Sequence, residues 1–139
     1  METPDTVLAF DFGTQRIGVA VGSTITRSAR PLTTIDAPAG DARDAALARV
    51  IVQWQPDLLV VGLPVHADGS PHRMTARSRR FGEDLRERFQ IPVEYADERY
   101  TSELATVALG GQGRKGRQKR DEVAAQIILQ AWLDDHRAA

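Results

Sequence analysis

Apolar positions along the chain recur with two periods, and the switches between them divide it into elements. Residues 6–12, TVLAFDF, and 16–23, RIGVAVGS, are rich in β-branched and aromatic side chains and are separated by Gly-Thr-Gln. They predict a hairpin with Asp11 near the end of its first strand. A short third strand over 31–36 completes a meander. With Asp41 as its N-cap, the next segment repeats Ala46, Leu47, Val50, Ile51 and Trp54 at helical spacing until Pro56 stops it. The run DLLVVGL, 57–63, is apolar without alternation, as in a strand covered on both faces.

Ser70-Pro71 is a helix start, and the segment to about Phe89 carries Met74, Arg77, Phe81 and Leu85 as a thin apolar face on a very basic helix. Residues 91–98, IPVEYADE, alternate Val93 and Tyr95 against Glu94 and Ala96, which predicts a fifth strand ending in acids. Thr101 then caps a short helix ended by Gly110-Gly111. Residues 110–120, GGQGRKGRQKR, cannot build a core and predict a mobile basic loop. From Asp121 the positions Val123, Ala124, Ile127, Ile128, Ala131 and Trp132 mark one face of a final helix.

This order predicts one α/β domain spanning 1–139. Its mixed sheet has five strands, a three-strand antiparallel meander plus two parallel strands, with helices on both faces. Composition narrows the chemistry. With no cysteine, thiolate nucleophiles, disulfides and cysteine-held zinc are excluded, so any metal must be held by oxygen or histidine. No stretch approaches the roughly 18 apolar residues of a membrane span, and no basic leader precedes an apolar run, so a cytoplasmic protein with no membrane partner is the expectation. The net charge of -1 says nothing about partners, but residues 110–120 concentrate five basic side chains without an acid.

Acids stand at three element ends: Asp11, the pair Asp97-Glu98, and Asp121. Such convergent carboxylates suit Mg²⁺ or Mn²⁺, and two ions about 3.5 to 4 Å apart can stabilise both the attacking and the leaving oxygen of a phosphodiester. Each acid also has a structural reading. A carboxylate inside an apolar strand such as Asp11 needs partners. Asp97 or Glu98 can cap the turn before Thr101 or pair with Arg99. Asp121 at a helix start is favourable with the helix dipole whatever the function. Arg114, Lys115, Arg117, Lys119 and Arg120 lie just before Asp121, where they can grip phosphates without reading sequence. Arg73 and Arg77, with Arg79 and Arg80, extend that track, diluted by Glu83, Asp84 and Glu87. Arg16 can touch a substrate phosphate or neutralise a carboxylate. His66, His72 and Tyr100 are better read as structural than as ligands or stacking residues.

The strings DFGTQRIGVAVG, VVGLPVHADGS, DERYTSELA and KRDEVAAQIILQAWLD resemble, in order, motifs of the YqgF/RuvX family, described as Holliday junction resolvases, across about residues 7–135. The resemblance implies a ribonuclease H-like fold related to the RuvC resolvases. It also implies divalent-metal nuclease activity and a role in maturing the 5′ end of 16S ribosomal RNA. Carried over by position, it makes Asp11, Glu98 and Asp121 the catalytic metal ligands, with Asp97 beside them as a second candidate. The junction resolvases carry further acids on the fourth strand and one turn into the last helix, where this chain has the Val61-Gly62-Leu63 region and Ala124. That departure weakens a carry-over of junction cleavage. Branched DNA therefore stands as the alternative substrate to RNA, and monomer and homodimer both remain open. A non-catalytic RNA-binding or transcription-associated module is a further alternative. A phosphotransferase reading of Asp11-Phe12-Gly13-Thr14 is disfavoured, because such folds close two domains over the nucleotide.

Overall fold

The computed structural model describes residues 5–66, 68, 70–98 and 113–135, with the side chains of 113–119 outside that description. Strands β1 (Thr6–Phe12), β2 (Ile17–Ser23) and β3 (Ser28–Ile35) form the expected meander. Helix α1 (Asp41–Trp54) leads to β4 (Leu58–Pro64), and α2 (Thr75–Phe89) leads to β5 (Val93–Glu98). β4 pairs parallel with β1 and β5 parallel with β4, giving one sheet in the order β3-β2-β1-β4-β5. The final helix, α3, spans Gly113–Asp135.

Strand alternation sorts the side chains onto two faces. Leu8, Phe10, Val19, Leu59 and Val61 point to one, where Leu47 and Ile51 of α1 and Phe81 and Leu85 of α2 pack on them. Val7, Ala9, Ala20, Leu58 and Val60 point to the other, beneath Ala125, Ile128, Leu129, Trp132 and Leu133 of α3. Asp11, two residues beyond Ala9 on the same strand, therefore faces α3.

The α3 face of the sheet carries little bulk, because alternation places Ala9, Gly18, Ala20, Gly22 and Gly62 there. A Cβ on Gly18 would stand 1.9 Å from the carbonyl oxygen of Asp121, and one on Gly62 would stand 2.6 Å from Ile128 Cδ1. Only bare backbone at these places lets the helix lie so close. Side chains then tie α3 to both sheet edges. Gln130 Oε1 accepts from Ala29 N (3.0 Å), Gln126 Nε2 donates to Ala29 O (3.1 Å), and Trp132 Nε1 donates to Glu94 Oε1 (3.2 Å).

Three boundaries differ from the sequence reading. Gly40, at φ 147°, precedes α1, so Asp41 is the first helical residue and not the N-cap. Ser70-Pro71 does not start α2. Val65 bridges Pro71, His66 N donates to Ser70 O (2.9 Å), and Thr75 Oγ1 donates to the Pro64 carbonyl, so these residues form a closed loop before the helix. Residues 113–120, assigned to the mobile basic loop of 110–120, are helical in backbone, so Asp121 lies two turns inside α3 and does not open it. Their Arg, Lys and Gln are good helix formers, and a helix anchored by an apolar stripe extends through them. That stripe is Ala124/Ala125, Ile128/Leu129 and Trp132/Leu133, whereas Ala131 is exposed. The helix proposed after Thr101 lies outside the described residues.

Candidate active site

Three chain segments meet where α3 crosses the C-terminal ends of β1, β4 and β5. β1 delivers Asp11 on its penultimate residue. β5 delivers Glu98 on its last, on the same face as Glu94, while alternation sends Asp97 to the opposite face. Of the two neighbouring acids, Glu98 is thus the one that lines the cavity, and Asp97 does not. Gly62 on the intervening strand makes this possible, because a Cβ there would stand 2.9 Å from Glu98 Oε2. α3 delivers Asp121, held in place by the contact of its backbone with Gly18.

The cavity is about 410 Å³ and is also lined by the β1–β2 turn, Pro64, Met74, Arg16 and Arg73. The turn is tight: a Cβ on Gly13 would stand 2.6 Å from the Arg16 carbonyl oxygen. It carries Arg16 back over the site, where Nε donates to Asp121 Oδ2 at 2.7 Å. Arg16 therefore neutralises a carboxylate in this structure, the second of the two roles the sequence left open for it.

The Asp11 and Glu98 carboxyls stand side by side, close enough to share a hydrogen bond when one of them carries a proton. Burial raises both above the ordinary carboxylate range. Repulsion from Asp121 adds to the rise of Asp11, while the hydrogen bond from Glu98 and the charge of Arg120 oppose it. For Glu98, repulsion from Asp11, the shared hydrogen bond and repulsion from Asp121 all add to burial, and the rise is larger. Two carboxyls that cannot both ionise comfortably, with a third beside them, make a donor set of hard oxygens suited to a divalent cation. Among the described residues no three acidic or histidine side chains form a ready-made ligand cluster, and Asp121 is engaged by Arg16.

Arg43 is a site-shaping residue that the sequence reading missed. Its buried guanidinium donates from Nη2 to the carbonyls of Gly13 (2.8 Å) and Thr14 (3.1 Å) and from Nε to that of Ala37 (2.8 Å). It thereby pins the turn that follows Asp11 to α1. An arginine in the first turn of an amphipathic helix gives no sequence signal of this. Arg73 is at the cavity wall and Arg77 is exposed on α2. The side chains of Arg114, Lys115, Arg117 and Lys119 lie outside the described residues, as does Tyr100. His66 and His72 contact each other, and His72 Nδ1 accepts from Met74 N (3.1 Å), a local turn contact.

Comparison with known proteins sets this geometry in context. The model of a family described as "RuvX: Holliday junction resolvase" matches residues 5–135. A Dechloromonas aromatica protein is 53% identical over 132 residues, covering 93% of this chain and 90% of the relative. A Nitrosomonas europaea protein is 53% identical over 137 residues, covering 96% and 93%. Both are named, provisionally, pre-16S rRNA nucleases. Among solved structures, Thermus thermophilus RuvC in complex with a Holliday junction substrate aligns with a TM-score of 0.56 at 15% identity, covering 94% of each chain. The Fowlpox virus resolvase with its junction DNA aligns at 0.55 and 6%, covering 94% and 97%. At such identities the likeness is one of fold, the ribonuclease H-like fold with its five-stranded mixed sheet.

Proposed function

Because the chain belongs to the RuvX family, we propose that it is a divalent-metal-dependent nuclease that hydrolyses phosphodiester bonds at the 5′ end of precursor 16S ribosomal RNA. The observation that carries this reading is the convergence of Asp11, Glu98 and Asp121, from three separate elements, on one cavity rimmed by Arg16 and Arg73. The names of relatives that match nearly the whole chain favour RNA as the substrate.

Asp11, Glu98 and Asp121, which all interact with one another, would together hold the metal. When bound, Mg²⁺ or Mn²⁺ supplies the positive charge that the attacking and leaving oxygens need during in-line displacement. Asp11 and Glu98 would both be ionised when they hold the metal, whose charge would offset the repulsion between them. Asp121 would hold the cation in place of its present partner Arg16, whose guanidinium would then be available, with Arg73, to a substrate phosphate. Arg120 and the basic residues preceding it hold the strand through its backbone without selecting sequence. Arg43 keeps the Asp11 turn in one position throughout.

The family description and the RuvC-like fold support a second reading, cleavage of four-way DNA junctions. Matched labelled substrates separate the two: a single-stranded precursor-like RNA and a four-way junction, each with Mg²⁺ or Mn²⁺. The expected result is preferred cleavage of RNA, with Asp11→Asn slower by roughly a thousandfold, or about 4 kcal/mol of barrier. Paired symmetric nicks in the junction would transfer the reading to resolvase. Metal-dependent cleavage of neither would leave a binding module.

A further inference from the structure

A second cavity, of about 390 Å³, opens between α1 and α2 on the face of the sheet opposite the three acids. It adjoins the active site, because Phe12 and Thr14 line both. Its floor is aromatic and aliphatic, built from Phe12, Leu47, Phe81 and Leu85, with the Phe12 and Phe81 ring centroids 4.7 Å apart. Its rim is cationic. Arg77 and Arg80 are exposed one helical turn apart, about 5 Å along the axis, and neither forms an ion pair among the described residues. Of the two carboxylates at this rim, Asp44 is matched by Arg88 (3.7 Å), which leaves the balance positive even with Asp84 counted. Arg73, at the wall of the active site, lies in the turn just before α2, so exposed guanidiniums lead from the first cavity through Arg77 and Arg80 of α2 to the second.

An apolar floor under a cationic rim matches a nucleotide, whose base is flat and apolar on its faces and whose phosphate is anionic. The volume falls in the range of small-ligand sites. A base reaches such a cavity only when it is unpaired and turned out of a strand. Resting on the nuclease reading, we infer that this cavity takes an unpaired nucleotide flanking the cleaved bond, so that the enzyme selects single-stranded substrate. Arg73, Arg77 and Arg80 carry the backbone to it, and the base lies on the Phe12–Phe81 floor.

The test is binding of a fluorescein-labelled single-stranded RNA dodecamer and of a blunt duplex of the same sequence, in EDTA so that cleavage plays no part. Two full-length variants are used: Arg77→Gln/Arg80→Gln, which alters exposed side chains only, and Ala39→Trp, which fills the mouth from an exposed loop position. Both are expected to weaken single-strand binding about tenfold while changing duplex binding less than twofold. A 4-thiouridine in the strand is expected to photocrosslink to the peptides containing Phe12 and Phe81. Equal weakening of both substrates would reduce the arginines to non-specific phosphate contacts and overturn the proposal, as would unchanged single-strand binding by either variant. Failure of the nuclease reading instead shows as no metal-dependent cleavage by the wild type, whatever these binding curves give.

Discussion

The two faces of the sheet solve opposite packing problems. Under α1 and α2 the strands present Leu8, Phe10, Val19, Leu59 and Val61, and the helices meet the sheet through interlocking side chains. Under α3 they present Ala9, Gly18, Ala20, Gly22 and Gly62 among Val7, Leu58 and Val60, and at Gly18 the helix backbone itself comes down onto the strand. The first arrangement draws its stability from buried volume and leaves a cavity between its helices. The second gives up volume and gains position, because a helix resting on bare backbone has one height and one register. The three acids are on the second face, and the metal site proposed for them would need its ligands fixed within about 0.5 Å.

Substitutions of opposite sense should separate the two. On the α3 face enlargement is the damaging change. Gly18→Ala drives a methyl into the Asp121 carbonyl, backbone against backbone, and should cost about 3 kcal/mol. Thermal unfolding and cleavage assays should show a large loss of stability together with loss of activity well below the new midpoint. On the α1 and α2 face truncation is the damaging change. Ile51→Ala removes buried side-chain volume and should cost about 2–4 kcal/mol, yet the protein that remains folded should cleave at nearly the wild-type rate. If Ile51→Ala lost activity as completely as Gly18→Ala, the faces would not divide stability from positioning as claimed.

A smaller effect comes from the acids. Without metal, Asp11 and Glu98 titrate above the ordinary carboxylate range, so the folded state binds a proton that the unfolded chain has released. Stability is therefore full below the unfolded carboxylate pKa of about 4 and is lost as pH rises through the folded values. Glu98→Gln keeps a hydrogen bond to Asp11 and removes one charge. In EDTA it should be more stable than wild type by about 1–2 kcal/mol at pH 8 and nearly equal to it at pH 4. Urea unfolding at both pH values checks this, and parallel curves would mean that the two carboxyls do not oppose each other in the fold.

Much of this was legible in the sequence, and the omissions have physical causes. Element order, the mixed sheet and Asp11 at a strand end follow from hydrophobic period, which burial imposes directly. The choice of Glu98 over Asp97 needed the strand's register, because alternation reverses face at each residue and the end of β5 carries no strong pattern. The small-residue lining was present as Gly18, Ala20 and Gly22 alternating with Ile17, Val19 and Val21, but glycine in a strand reads first as weakness. The start of α3 was missed because helix propensity in a charged segment is decided by what the helix is anchored to. Arg43 and the Arg16–Asp121 pair join residues 30 and 105 positions apart in one case each, and no local pattern encodes such pairings.

The central claim is that α3, seated on bare strand backbone, completes a cation site with Asp11 and Glu98. Calorimetric titration of Mn²⁺ into the wild-type protein and into Asp11→Asn tests it most directly, independently of any substrate. The account predicts saturable binding to the wild type and its loss in Asp11→Asn. Equal Mn²⁺ binding by both proteins would contradict it.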